Sequence, residues 1–378
     1  MLTELKEKMD QTKAVCGSHG EETDKLIYAL LQSSKQPNTD EAAGKVEALL
    51  LSGDEAGSIV ESGTINAPIF TDQQQQFQWS SIDRPIAQLF RRMVDLKRTV
   101  SVQIPSRKAT LQSYEPHKLA EVQQRFLHQS KPEDPWNVLD LASPLPHSIL
   151  PYFLTGPNCQ LLSCIRDIAL MGCSSERTIA TTDEWAQWRD VEEWVLLAEG
   201  GHNTVPHTDS HGYATWITIQ EGLFGFGWLS HPSHQEKDAW MTNPGEYTGG
   251  QWRYVILRPG QTVFFGSGTV HYVFRLKHAQ TLALGGHILQ WNGIEQWMKV
   301  VLDQMRHPHI TNEEMKCTIR RYIQTVASLV TFSIRDGRVE ELGGKVVVNG
   351  FFNLVKVSHH QCRRPVANNG QEFEKEYQ

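Results

Sequence analysis

Seven short strand-like segments follow one another between residues 192 and 284 of this chain. Each has four to seven mostly apolar or β-branched residues, and several are bounded by Gly or Pro. No helical period separates them, and closely spaced strands without crossover helices are typical of an antiparallel barrel or jelly roll. The segments are Glu192–Ala198, Ala214–Gln220, Phe224–Leu229, Arg253–Leu257, Thr262–Phe265, Val270–Leu276 and Thr281–Leu284.

Helical patterns lie on both sides of these strands. Apolar residues recur with a period near 3.6, and several segments begin with an N-cap residue or with Pro just inside the first turn. The predicted helices cover residues 23–31, 40–50, 82–93, 161–170, 295–305 and 312–330, and residues 136–141 form a further predicted strand. The sequence therefore predicts an α+β fold with a jelly-roll core and surrounding helices.

This pattern divides the chain into three predicted regions. Residues 1–134 are expected to be a mostly helical N-terminal region, and residues 135–292 the jelly-roll core. Residues 293–378 are expected to be C-terminal helices and a tail that pack on that core.

Composition limits the classes of partner. The 378 residues carry a net charge of -7, so no basic surface favours direct electrostatic binding of a nucleic acid. No run of 18 apolar residues occurs, and the polar N-terminus has no signal-peptide core, so we expect no membrane partner. The six cysteines include no CxxC pair. These features predict an intracellular protein of a reducing compartment, cytoplasmic or nuclear.

The strands carry one candidate metal site. His207 and Asp209 are two residues apart, so on a strand their side chains point to the same side, and His271 follows Asp209 by 62 residues. Two His and one carboxylate are the facial triad of non-haem Fe(II) oxygenases. The tripeptide His-x-Asp by itself favours a chance occurrence with His271 a core histidine, but the flanking sequence favours the metal site.

The flanking sequence resembles the JmjC family of Fe(II)/2-oxoglutarate oxygenases, members of the cupin superfamily. After His207 and Asp209 come a Trp at 216, the segment PGQTVFF at 259–265, His271, and the segment LALGG at 282–286, in the order and spacing of that family. The resemblance covers roughly residues 190–290 and weakens towards about 135 and 335. Residues 136–170 and 290–330 resemble a group of fungal JmjC-type proteins, a likeness that carries no chemistry.

The resemblance implies a fold, a metal and a cosubstrate. It implies a double-stranded β-helix, the jelly roll of cupins, that holds Fe(II) with His207, Asp209 and His271. Both His would bind as neutral rings, each donating its other ring N–H to a neighbouring acceptor. It also implies that 2-oxoglutarate binds the iron, and that Thr204 matches a family Thr whose hydroxyl contacts this cosubstrate. An ordinary strand-edge Thr is an equally good interpretation of Thr204 alone.

The sequence departs from the family at the expected anchor of 2-oxoglutarate. JmjC proteins place a Lys 15 to 17 residues after the first His, but here Gly222, Leu223 and Phe224 occupy those positions. Arg275 is the first candidate replacement and Lys277 the second, because they alternate with His271 along a strand and carry positive charge. Arg253 and Arg258 are weaker candidates. The alternatives are that Arg275 and Lys277 are both solvated in a hairpin turn, that the cosubstrate binds differently, or that none is used.

The expected function is oxidation of a substrate by O2, coupled to conversion of 2-oxoglutarate to succinate. An acidic chain without reader modules favours a small-molecule or amino-acid-derived substrate, which would be hydroxylated, desaturated or cyclised. The alternatives are a JmjC protein or histone lysine demethylase or hydroxylase, and a non-catalytic JmjC-fold binding or regulatory protein.

Overall fold

The computed structural model describes Thr3, Lys6 and residues 18–361, except residues 64, 73, 76, 109–112, 129–133, 146–147, 175–190, 278, 314 and 316–317. The helices are α1 (His19–Ser33), α2 (Gly53–Ser62), α3 (Pro85–Arg92), α4 (Leu119–Leu127), α5 (Leu161–Ser174), α6 (His234–Thr242), α7 (Ile294–Arg306), α8 (Ile319–Arg335) and α9 (Gly344–Gln361). The first strands are β1 (Leu49–Leu50), β2 (Ile69–Asp72), β3 (Thr99–Gln103), β4 (Tyr114–Lys118), β5 (Asn137–Ala142) and β6 (Trp194–Ala198). The later strands are β7 (Thr204–His207), β8 (Ala214–Glu221), β9 (Phe224–Leu229), β10 (Trp252–Leu257), β11 (Gln261–Phe265), β12 (His271–Phe274) and β13 (Thr281–Ile288).

The strands form two sheets, which confirms the α+β class. Nine strands pair in the order β1-β2-β11-β8-β13-β6-β5-β3-β4, and four pair in the order β10-β9-β12-β7. All pairs are antiparallel except β1 with β2. All seven strand segments predicted between residues 192 and 284 are present.

An apolar core joins the facing sides of the two sheets. Leu196, Ile217 and Ala283 of the larger sheet share one buried cluster with Phe226 and Val273 of the smaller sheet. Because side chains alternate along a strand, apolar residues also lie on the outer sides of the two sheets. Helix α1 packs on the outer side of the smaller sheet, and α2, α3 and α4 pack on that of the larger sheet. The C-terminal helices form a further apolar cluster around Trp297.

Two predicted helices were wrong in extent or kind, and the strand series contains a helix that was not expected. Residues 40–50 are not a helix: Asp40 caps a single 3-10 turn, Glu41–Ala43, which ends at Gly44 with a φ of 133°. The strand β1 then follows because Leu49 and Leu50 pair with β2. A helix, α6, does interrupt the strand series, between β9 and β10. The last predicted helix begins at Ile319 rather than at residue 312, and the Thr311 hydroxyl lies near the carbonyls of Pro308 and Glu313 instead of capping a helix.

The N-terminal region contributes strands as well as helices. β1 and β2 extend the larger sheet beyond β11, and β3 and β4 extend its other end beyond β5. Hydrophobic periodicity gave no signal for β4, because its exposed or half-buried sequence YEPHK has no apolar alternation. In the described part of the chain, no helix is both long and apolar enough to cross a bilayer.

The glycines of the LALGG segment have a steric role. A Cβ added to Gly285 would lie 2.1 Å from the Trp194 ring, and one added to Gly286 would lie 2.0 Å from the Glu192 carbonyl oxygen. The Trp194 ring can shift, whereas a backbone carbonyl cannot move away so easily. Glycine therefore lets β13 pack closely against β6 and the residues before it.

We predict that Gly286→Ala destabilises the protein by about 2–3 kcal/mol, because the added methyl group overlaps the Glu192 carbonyl. Urea unfolding would measure the loss as a lower midpoint with an unchanged slope. Gly245→Ala is the matched control, since a Cβ there meets nothing within 4 Å. Equal stabilities of the two variants would contradict this account of the segment.

Candidate metal centre

The pairing of β7 with β12 brings the two predicted histidine ligands together. His207 lies directly opposite His271 in the register of this antiparallel pair. A bulge follows, so that Thr204 lies opposite Val273: two residues of β7, Val205 and Pro206, face one residue of β12, Tyr272. Residues directly opposite one another project to the same side of a sheet. The bulge therefore turns Thr204 towards the same side as His207, which regular alternation would not do.

Asp209 completes the triad just beyond the end of β7. Ligand atoms of His207, Asp209 and His271 all lie within 4.8 Å of one another. The Oδ1 atom of Asp209 is 3.7 Å from Nε2 of His207 and 3.8 Å from Nε2 of His271. These separations are too long for hydrogen bonds, but an ion about 2.1 Å from each atom fits between them. The three predicted ligands thus form a group that could hold a metal ion.

Backbone carbonyls orient both imidazole rings. Nδ1 of His207 lies 2.9 Å from the Val205 carbonyl, and Nδ1 of His271 lies 3.1 Å from the Thr269 carbonyl. A carbonyl oxygen only accepts, so in each neutral ring the proton sits on Nδ1 and the Nε2 lone pair faces Asp209. Burial lowers the pKa of His271 to about 4, which favours the neutral ring that metals bind.

The two oxygens of Asp209 have different partners. The Thr215 hydroxyl donates to Oδ2, which leaves Oδ1 facing the histidines. Because that hydroxyl has a single proton, Nδ1–H of His287 must donate to Thr215 Oγ1 across 2.9 Å. Burial alone would raise the pKa of the Asp209 carboxyl, but the neighbouring imidazoles, His271 foremost, and the Thr215 hydroxyl hold it below its usual value. The carboxyl group is therefore ionised, and its Oδ1 atom faces the two histidines.

The turn that carries Asp209 is held by the C-terminal region. His211 has a left-handed φ of 54°, a strained value for a residue with a Cβ. The backbone N–H groups of this turn donate to atoms outside it: Thr208 N–H to Ile310 O, Ser210 N–H to Asn312 Oδ1, His211 N–H to Met315 Sδ and Gly212 N–H to Gln304 Oε1. Residues 304–315 thereby fix a conformation that the turn would not favour alone.

Aromatic rings form the wall behind His271. The Phe265 ring centroid is 4.5 Å from that of His271, and Phe226 stacks against the same imidazole at 5.7 Å. Both phenylalanines are buried in the core between the sheets. The wall beside this ligand is therefore apolar.

The position of the expected Lys is apolar, but a buried cation lies beside it. Phe224 is fully buried, and the Arg275 guanidinium carbon lies 5.5 Å from the centre of its ring. Arg275 is 5% exposed and donates to the His202 carbonyl, while its Nε has no hydrogen-bond partner. Among the described residues no carboxylate pairs with it, and burial lowers its pKa to about 9. The solvated-turn alternative is wrong for Arg275.

The other candidate cations lie elsewhere. Lys277 is exposed in the turn after β12. Arg253 donates to the Glu47 carboxylate across 2.6 Å. Of the described candidate cations, Arg275 is the one that is both buried and close to Phe224.

Sequence reasoning missed three residues that support the triad: Thr215, His287 and Gln304. Thr215 and His287 lie directly opposite each other on β8 and β13, and this pairing cannot be inferred from their spacing of 72 residues. Gln304 lies on the buried side of α7, and a single polar residue in an apolar helix pattern was the only available signal.

No protein-family model matches this chain. The candidate metal site is therefore supported by the arrangement of its three side chains and by the motifs that surround them.

We predict that Asp209→Ala abolishes tight binding of Fe(II) or Co(II), because it removes the only carboxylate of the triad. Calorimetric titration of the metal-free protein under anaerobic conditions would measure the affinity. Asp238→Ala, at an exposed position on α6, is the control and should bind as the unchanged protein does. Undiminished affinity in Asp209→Ala would exclude this centre.

Proposed function

We propose that this protein is an Fe(II)/2-oxoglutarate-dependent oxygenase of the JmjC type that oxidises a small-molecule or amino-acid-derived substrate. The observation that carries the proposal is the buried Arg275, which has no carboxylate partner among the described residues and lies four residues after His271 of the His207, Asp209 and His271 triad. A metal triad alone fits many reactions, whereas a triad with a buried cation also fits a dicarboxylate ligand.

The strand order supports a double-stranded β-helix. From β6 to β13, strands β6, β8, β11 and β13 belong to the larger sheet, and β7, β9, β10 and β12 belong to the smaller one. In the larger sheet these four pair in the order β11-β8-β13-β6, and the smaller sheet has the order β10-β9-β12-β7. Two four-stranded halves facing each other across a core are the arrangement expected of a jelly roll. Additional N-terminal strands would then extend only one half.

The donor set fits Fe(II). Two neutral imidazole nitrogens and one carboxylate oxygen are the ligand types of non-haem iron oxygenases, and they leave coordination positions open. Bound there, iron with 2-oxoglutarate would supply the O2-dependent oxidation of a C–H bond. The chain's own task is to hold the three ligands, to position both substrates and to exclude water.

Arg275 supports the use of 2-oxoglutarate. An isolated buried charge is costly, so an unpaired guanidinium in the core is best explained by an anion that binds there. Arg forms bidentate pairs with carboxylates and remains charged. We therefore assign Arg275 to the distal carboxylate, in the role that the JmjC Lys would have near Phe224. Thr204, turned to the same side as His207 by the bulge, would donate its hydroxyl to the same ligand.

The apolar wall beside the triad favours a small substrate over a histone tail. The wall beside His271 is made of Phe226 and Phe265, which offer no charged partner for the cationic side chain of a histone lysine. An apolar wall suits an uncharged carbon skeleton and helps to keep water from the reacting centre. A non-catalytic binding protein is the alternative that the following measurements separate. A lysine demethylase would produce the same events and differs only in its substrate.

The proposed activity predicts two measurable events in the unchanged protein. Anaerobic addition of Fe(II) and then 2-oxoglutarate should produce the weak visible charge-transfer band of a chelated keto acid. Admission of air should then release succinate even without substrate, at a slow uncoupled rate. A band without succinate would favour the binding protein, and the absence of both would overturn the proposal.

For the anchor we predict that Arg275→Met weakens 2-oxoglutarate binding by about 2–5 kcal/mol, which is roughly 30- to 4,000-fold in Kd. Co(II) affinity should be unchanged, because Arg275 is not one of the triad. Stability of the ligand-free variant should equal or exceed that of the unchanged protein, since an unpaired buried charge is removed. Titration of 2-oxoglutarate and urea unfolding would measure the two effects.

Lys277→Met is the matched control for this anchor, since Lys277 is exposed and lies only two residues further along the chain. It should leave the Kd of 2-oxoglutarate unchanged. If Lys277→Met weakened binding and Arg275→Met did not, the anchor would be Lys277.

A further inference from the structure

Asp209 lies where the sheet no longer determines its position. β7 ends at His207, so the ladder of backbone hydrogen bonds fixes the two histidines but not the carboxylate. Thr208 forms an isolated bridge with Thr311, and the left-handed His211 follows two residues after Asp209. The carboxylate therefore needs support from outside its own strand.

The Gln304 side chain provides that support from α7. Its Nε2 donates to the Asp209 carbonyl at 2.6 Å and to Thr208 Oγ1 at 3.0 Å, and its Oε1 accepts the Gly212 N–H at 3.0 Å. Gln304 is completely buried, so water does not compete for these contacts. One amide thus joins both ends of the turn that carries the carboxylate ligand.

The three contacts also fix the orientation of the amide. If the amide were flipped, its oxygen would face the Asp209 carbonyl and its NH2 would face the Gly212 N–H. Both contacts would then be repulsive. The NH2 group of Gln304 therefore faces Asp209. An apolar side chain of the same size could not form these hydrogen bonds.

We propose that Gln304 is a positioning residue of the metal centre, whose amide determines where the Asp209 carboxylate lies relative to His207 and His271. The inference rests on the metal-binding part of the proposed function and not on turnover of 2-oxoglutarate. With this role for Gln304, helix α7 of the C-terminal region becomes part of the site, although none of its residues belongs to the triad.

The chain offers a matched control in Gln88. This glutamine is also buried, lies on α3, and bridges backbone groups: it accepts from the Ser80 N–H and donates to the Ser80 carbonyl. Met is close to Gln in size and is a good helix former. Gln304→Met and Gln88→Met should therefore lose stability through the same kind of change, while only the first affects the triad.

The test is Co(II) binding to the metal-free protein, measured by calorimetry and by the visible ligand-field spectrum. We expect Gln304→Met to raise the Kd of Co(II) about 10- to 100-fold and to change the spectrum. Gln88→Met should keep the affinity and spectrum of the unchanged protein. Gln304→Glu is a second variant: it keeps an acceptor for Gly212 but removes the donor to Asp209, and it should also weaken binding.

The outcomes separate this inference from the proposed function. Co(II) affinities and spectra of both Gln304 variants equal to those of Gln88→Met would overturn the positioning role alone. Co(II) binding with the expected loss in the Gln304 variants, but without succinate formation by the unchanged protein, would leave Gln304 in its role and overturn the oxygenase. Failure of the unchanged protein to bind Co(II) would overturn both.

Discussion

The antiparallel pairing of β7 with β12 is the interaction on which the rest of the site depends. It places His207 opposite His271 across one sheet, and each ring is then turned by a carbonyl two residues before it on its own chain segment. A shift of one residue in this pairing would send one histidine to the outer side of the sheet. The apolar core between the two sheets makes such a shift costly, because every side chain of the strand would change sides.

Around this pair, support comes from parts of the chain that are distant in sequence. The larger sheet contributes Thr215 and His287, which fix one oxygen of Asp209 and leave the other free to face the histidines. The C-terminal region contributes the contacts that hold the turn at residues 208–212. The Asp209 carboxylate is thus oriented by the larger sheet and by the C-terminal region together. The two histidines are oriented by carbonyls of their own chain segments.

In the proposed function, Arg275 supplies from another strand the positive charge that the JmjC resemblance leads one to expect near Phe224. The position expected to be Lys is Phe224, yet the pairing of β9 with β12 puts the Arg275 guanidinium beside that ring. Charge can therefore be supplied to the same space from the neighbouring strand. Burial is the decisive physical point, because a cation that is out of water and has no carboxylate partner in the described residues is unfavourable until an anion binds.

The sequence by itself determined the strand series, most of the helices and the three members of the candidate triad. These depend on short-range periodicity, on turn residues and on the identity of metal-binding side chains, all of which are local. It misjudged residues 40–50, where helix propensity is weaker than the pairing of Leu49 and Leu50 with β2. Only the tertiary structure decided which cation is buried, how Thr204 is turned, and that Thr215, His287 and Gln304 support Asp209. Each of these depends on strand register, on a bulge or on packing between segments about 70 to 100 residues apart, and local sequence patterns do not predict such contacts.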